Sequence, residues 1–365
     1  MSIAGQTARH YVGLDGLRGF AALSVVLFHL DHWLNVPWLA PNAHFAVDLF
    51  FCLSGYVLPL AYGRASAADL PFAAFARIRL IRLMPIIVLA IAISGLYVAA
   101  KLGRQASPDL YAALAIAVAL GLLVVPFFDP PHAIGGPQIF PLNGPEYSLF
   151  LEFVVNVAWF ASRRVAQLPL ALVLAAGSLA LLLVYGSGGD VAATFWHGFP
   201  RVFATFFAGV ALYHVSQGRG AALARSRAAG RLFWAACLAM AVLFFLPFSV
   251  GQIGWLAWVV VVAPVLVFTG AHVEIDGLAR RLCMLTGALS YPIYALHYPI
   301  FCWLNGAVQT RTHRQMPGIE VPLAFLAIVA VSWIALRAYD EPLRAAFGRR
   351  FKRRAAPPLA VPTPT

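Results

Sequence analysis

Three features of this sequence predict an all-α protein that crosses a membrane many times. Of its 365 residues, 61% are hydrophobic and only 11% charged. Its mean hydropathy is +0.80, and its apolar residues gather into eleven runs near span length. A span needs about 20 mostly apolar residues. A soluble globular protein is about 45–50% apolar and about 25% charged. Too few charges are present to coat the two or three soluble domains a chain this long would form. Intrinsic disorder and a disulfide scaffold are excluded as well. Neither the alternating ten-residue strands of a membrane barrel nor a repeat of 20–50 residues is visible.

The runs are 14–34, 45–62, 83–100, 110–128, 147–161, 169–186, 199–216, 232–249, 254–271, 285–305 and 320–339. The positive-inside rule assigns their connections. Basic ones belong in the cytoplasm: 64–82 (Arg64, Arg77, Arg79, Arg82), Arg163–Arg164, 219–231 (Arg219, Arg225, Arg227, Arg231), Arg280–Arg281, and the tail with Arg349, Arg350, Lys352, Arg353 and Arg354. Connections 35–44, 187–200 and 249–253 hold no Lys or Arg and belong outside. With the N-terminus inside, eleven crossings break this pattern after 147–161. Ten satisfy it, apart from Lys101/Arg104 and Arg311/Arg314. The prediction is therefore about ten transmembrane helices, both termini cytoplasmic, and one segment within 101–161 that fails to cross. Run 147–161 is the shortest and contains Glu152 and Asn156, which makes it the first choice for a re-entrant helix. The Pro- and Gly-rich stretch 128–146 is a candidate to dip back, since irregular backbone at membrane depth survives only when buried in protein or lining a wet cavity. Residues 1–10 read as a cytoplasmic tail and 11–345 as the membrane domain. Residues 346–365 read as a basic, then Pro-rich cytoplasmic tail expected to be disordered. The first run contains Arg18 and lacks a small-residue cleavage pattern, so it reads as a retained span.

The net charge of +12 is not a nucleic-acid signature. Lys101 and Lys352 are the only lysines, so 24 of the 26 basic residues are arginines, and they cluster between apolar runs. Cys52, Cys237, Cys283 and Cys302 form no CxxC pair, so neither a disulfide framework nor a zinc site is indicated. No metal-ligand spacing, phosphate-loop glycine motif or G-x-S-x-G elbow appears.

Scarce charge makes each intramembrane ionisable residue informative, because one at a helix centre costs about 2.5–3.5 kcal/mol on insertion scales. Arg18 and His29 lie eleven residues apart, on one helix face and about 16 Å apart along the axis. Asp15 is placed to pair with Arg18. Arg18 also suits a snorkelling anchor, and His29 a packing histidine. Asp48, inside the second run, needs a partner, and His29 is the obvious candidate; a helix cap is the plainer reading. Ser54-Gly55 reads as close helix packing. Arg79 and Arg82, at i, i+3 before Pro85, suit phosphate recognition as well as topology. Ser148 and Glu152 share a face at i, i+4. Tyr294 and His297 do so at i, i+3, between Pro292 and Pro299, two prolines expected to distort a cavity-lining helix.

These residues together resemble the acyltransferase-3 family of integral-membrane O-acyltransferases over about 11–345. The Arg-x10-His pair (Arg18, His29), VDLFFCLSG (Val47 to Gly55), RxxR before a proline (Arg79, Arg82), a WSLxxE-like segment with Tyr147 in the tryptophan's place, LSYPIYALHYP (Leu289 to Pro299) and EPLR (Glu341 to Arg344) stand in the family's order. The resemblance implies a multi-pass protein of the bacterial inner membrane. It implies transfer of an acyl group, usually acetyl, from cytoplasmic acyl-CoA to a carbohydrate hydroxyl such as that of an exopolysaccharide, O-antigen or lipid-linked oligosaccharide. Neither a metal nor nucleic acid is implied. Arg18, Arg79 and Arg82 would hold the donor. His29 would act as base or acyl acceptor, with Asp48 or Glu152 orienting it, and Ser148, Tyr294 and His297 would line the acceptor side. A polytopic transporter and a scaffold subunit of a polysaccharide-export system are the competing classes. No inverted repeat favours the transporter.

Overall fold

The computed structural model describes residues 11–62, 70–104, 106–165, 167–186, 188–217, 222 and 226–355, with side chains to residue 349. Arg64, Arg219, Arg225, the 1–10 tail and the Pro-rich 356–365 lie outside the described residues.

Each of the eleven apolar runs is helical: α1 (Val12–Leu34), α2 (Ala46–Tyr62), α3 (Phe72–Leu102), α4 (Pro108–Leu122), α5 (Glu146–Ser162), α6 (Gln167–Tyr185), α7 (Gly198–Val215), α8 (Arg227–Phe245), α9 (Gly251–Gly270), α10 (Gly277–Thr312) and α11 (Pro317–Ala335). A twelfth helix, α12 (Glu341–Ala355), follows a π turn at Leu336–Asp340. The basic half of the tail is therefore helical where disorder was expected, in continuation of α11 through the π turn; its Ala, Arg and Lys residues favour helix. Among the described residues the only β pairing is an isolated bridge between Gln138 and Val191.

Among the described residues seven stretches are long and apolar enough to cross a membrane: α1, α2 with the turn before it, α3, α6, α8, α9, and α11 continuing into α12. Helix α4 is apolar but has only 15 residues. Helices α5, α7 and α10 carry Glu152, Arg201 and His297, polar residues that dilute their apolar character. Helix α1 packs along α10, α2 and α6 along α7, and α10 against α3 and α11.

The helix ends sort into two groups. At one end Arg163, closing α5, donates to Leu70 O ahead of α3 at 3.1 Å, and Arg18, Arg82 and Arg344 gather there. At the other, Gln315 Nε2 donates to Trp33 O near the end of α1 at 3.1 Å. Asn42 Nδ2 donates there to Leu243 O and Phe248 O at 3.1 and 2.9 Å. Helix α4 runs antiparallel to α3, with Val118 beside Gly95 and Gly121 beside Ile91. Helix α5 continues from Glu146 towards Arg163. Between them 123–145 folds inward, burying Ile134, Ile139, Phe140, Leu142 and Asn143.

Helix α10 is continuous through Pro292 and Pro299, the two prolines expected to distort it. A helical proline leaves the carbonyl four residues earlier without its N–H partner. For Pro299 that carbonyl belongs to Ala295, and Asn143 Nδ2 donates to it at 3.3 Å. The inward-folded stretch thus repairs the defect.

Candidate active site

A cavity of about 300 Å³ opens among α1, α2, α3, α5, α10 and α12. Four arginines from three helices line it: Arg18 of α1, Arg79 and Arg82 of α3, and Arg344 of α12. Leu53, Val57, Leu83 and Leu149 supply its apolar wall.

Local sequence explains each placement. The i, i+3 spacing puts Arg79 and Arg82 on one face of α3. Arg79 is buried and donates through Nη2 to Asn156 Oδ1 at 3.3 Å. Among the described residues neither Arg79 nor Arg82 forms an ion pair with a carboxylate. Arg18 pairs with Asp15, as the spacing predicted. Glu152 and Ser148, one turn apart on α5, both line the cavity. Ser54 donates to Glu152 Oε1 at 2.8 Å, so Ser54 makes a site contact in addition to the packing role expected of its neighbour Gly55. Ser148 Oγ and the Tyr294 hydroxyl are 2.6 Å apart.

His29 does not line the cavity. It meets His297 across the α1–α10 contact, with His29 Nδ1 3.1 Å from His297 Nε2. The tautomers follow from the neighbours. His297 Nδ1 lies 2.7 Å from Tyr294 O and 3.3 Å from Ile293 O. Carbonyls only accept, so this nitrogen carries the hydrogen and Nε2 presents a lone pair. His29 Nδ1 lies between that lone pair and Val25 O, 3.0 Å away, so it too carries hydrogen. Neutral His29 is left with a bare Nε2, the form a general base needs. Trp33 stacks on His29 at 4.9 Å between ring centroids. Tyr294 stands between the two regions: it lines the cavity, and its ring centre is 5.9 Å from that of His297.

Two expected partnerships differ. Asp48 does not orient His29. It is fully buried and forks onto Arg201 of α7, with Nε–Oδ1 at 2.8 Å and Nη2–Oδ2 at 2.9 Å. Trp255 Nε1 also donates to it at 3.1 Å. A nearby permanent cation in fork geometry satisfies a buried carboxylate better than an imidazole does. Glu152 likewise bonds Ser54 rather than His29. Arg201 was not foreseen, because it lies just inside a helix rather than in a connection. It is the only Lys or Arg between Arg164 and Arg219, which was the available signal. Arg344 was noted only as part of a motif. Among the described residues no group of three or more His, Cys, Asp or Glu could hold a metal ion.

A helical bundle with membrane-length apolar helices, a cationic cavity and a histidine pair behind it, His297 buried and His29 half-buried, fits a multi-pass membrane enzyme. Residues 11–337 match the model of the acyltransferase domain, and the chain belongs to this acyltransferase-3 family. It is an acyltransferase. It is 33% identical over 187 residues, 46% of this chain and 91% of the relative, to protein 2 in the picA locus of Rhizobium radiobacter. It is 26% identical over 382 residues to YrhL of Bacillus subtilis, a protein provisionally assigned as a peptidoglycan O-acetyltransferase. That match takes in 96% of this chain but 57% of YrhL. The O-acetyltransferase OatA of Staphylococcus aureus is 36% identical over 89 residues, 23% of this chain and 14% of OatA. The chain thus spans little more than half of one O-acetyltransferase relative and aligns with a small part of the other. No solved structure matches it.

Proposed function

We propose that this chain is an O-acetyltransferase of the bacterial inner membrane. It takes acetyl from cytoplasmic acetyl-CoA and gives it to a hydroxyl of a carbohydrate acceptor at the opposite face. The observation that carries this reading is a cationic cavity at one end of the bundle, backed by a histidine pair. Arg18, Arg79 and Arg82 hold the phosphates of the donor, and the apolar wall takes its pantetheine arm. The two groups of helix ends support a ten-crossing topology with both termini cytoplasmic, in which α4 and α5 together make one crossing and the arginine end faces the cytoplasm.

His29 Nε2 takes the proton of the acceptor hydroxyl, and His297 keeps the ring in the required tautomer. The hydroxyl oxygen attacks the thioester carbonyl, the C–O bond forms and the C–S bond breaks. The CoA thiolate then leaves with the proton returned from His29. Because Tyr294 separates the cavity from His29, the Ser148–Tyr294 hydrogen bond parts as the acyl group passes. Glu152, on the same cavity, offsets part of the positive charge of Arg79 and Arg82.

Positioned base catalysis contributes about 10²–10⁴-fold, so His29→Ala is expected to lose that much transfer from labelled acetyl-CoA while inserting normally. Near-native transfer by the variant would remove His29 from the reaction. Arg79→Ala combined with Arg82→Ala is expected to weaken acetyl-CoA binding, and unchanged affinity returns both to a purely topological role. Surface glycans from cells with and without the protein, compared by mass spectrometry, identify the acceptor through the loss of one acetyl per repeat.

A further inference from the structure

Arg344, in the EPLR element just past the matched residues 11–337, lines the same cavity as Arg18, Arg79 and Arg82. The chain around it is built to place it there. The π turn Leu336–Asp340 brings Asp340 wholly inside the protein. Such turns are rare and recur at functional sites. Arg344 follows one helical turn later, its Nε donating to Asp340 Oδ1 at 2.7 Å and its Nη2 meeting the other carboxylate oxygen. This fork fixes the plane of the guanidinium and leaves its remaining N–H groups unassigned.

Arg337, on the same turn, behaves differently. It is exposed, pairs with Glu341 at 2.9 Å, and is not among the cavity residues. A charge serving topology alone needs only to face water, as Arg337 does. Burying an acid to aim an arginine is costly unless the pair is well formed, and here the aimed group ends at a cavity already lined by three arginines.

We propose that Arg344 is a fourth phosphate-binding residue of the donor site, and that α12 thereby closes the cytoplasmic mouth of the cavity over the phosphates of acyl-CoA. This rests on the reading of the cavity as the donor site. Asp340 is a positioning residue, since it acts through Arg344.

The test is equilibrium binding of CoA and of S-acetyl-pantetheine, which lacks the nucleotide phosphates, to the purified full chain in detergent. Arg344→Ala is expected to weaken CoA binding about tenfold or more, the scale of a lost charge-assisted hydrogen bond, and to leave S-acetyl-pantetheine unchanged. Arg337→Ala is expected to bind both like the unaltered protein. Equal losses for both ligands, or no loss for either, overturns the proposal. Should Arg344→Ala not fold, Arg344→Gln, which can still hydrogen-bond Asp340, carries the same comparison. CoA binding that depends on Arg79 and Arg82 but not on Arg344 overturns this inference alone. Failure of the unaltered protein to bind CoA overturns the donor-site reading itself.

Discussion

His29 and Asp48 mark what single residues disclose in this sequence. Both stood out because ionisable groups are scarce inside apolar runs, and both are central in the structure. Their partners were not legible. Pairing Asp48 with Arg201 joins residues 153 apart, and His29 with His297 joins residues 268 apart. Helical spacing reports only neighbours on one helix, which is why Asp15–Arg18 was foreseen and these were not. The Asp48–Arg201 pair has a consequence for stability. Removing one partner of a buried ion pair costs about 3–5 kcal/mol, whereas replacing both by apolar residues is often neutral. Arg201→Ala is expected to lower the melting temperature in detergent markedly, and Asp48→Leu with Arg201→Met to recover most of the loss. A Asp48→Asn protein that melts normally yet transfers nothing would instead return Asp48 to the chemistry at His29.

Helices were the most legible level. Eleven apolar runs give eleven helices, because hydrophobic length directly reports a lipid-facing or buried segment. Their ends shifted where polar side chains continue a helix beyond its apolar stretch. Helix α3 starts at Phe72 rather than 83 and carries its arginines on its first turns. Packing between helices was legible only where small residues announced it. A Cβ at Gly55 would collide with the Phe206 carbonyl, and one at Gly209 with that of Cys52. The α2–α7 crossing therefore depends on backbones in direct contact. Gly55→Val is expected to reduce the yield of folded protein sharply, whereas Gly177→Ala, at a position with nothing within 4 Å, is expected to leave it unchanged. The Asn143–Ala295 bond was hidden from sequence reasoning, because the need for it arises from a proline in a different element. Asn143→Leu leaves the Ala295 carbonyl unsatisfied at a cost of about 1–3 kcal/mol, read as a lower melting temperature.

For the whole molecule, the distribution of arginine was the readable signal, and the path of the chain through 101–161 was the weakest part of it. Charge requires an even balance there without saying which helix yields. In the structure α4 and α5 are separate short helices, and the stretch between them folds inward against the protein. The proposed sidedness has a direct readout. In a background with all four cysteines replaced, Ser249→Cys is expected to react with a membrane-impermeant maleimide in intact cells, and Gln217→Cys only after the membrane is opened. The reverse pattern would invert the bundle and place the arginine cavity outside. The His29–His297 pairing also bears on how the protein is made. One histidine leaves the ribosome near the start of synthesis and the other near its end, and the arginine at 344 emerges later still. A chain that ends before α10 holds His29 without His297. If these residues form the proposed centre, a half-made copy in the membrane lacks part of it, and activity begins only when the last helices have joined the first.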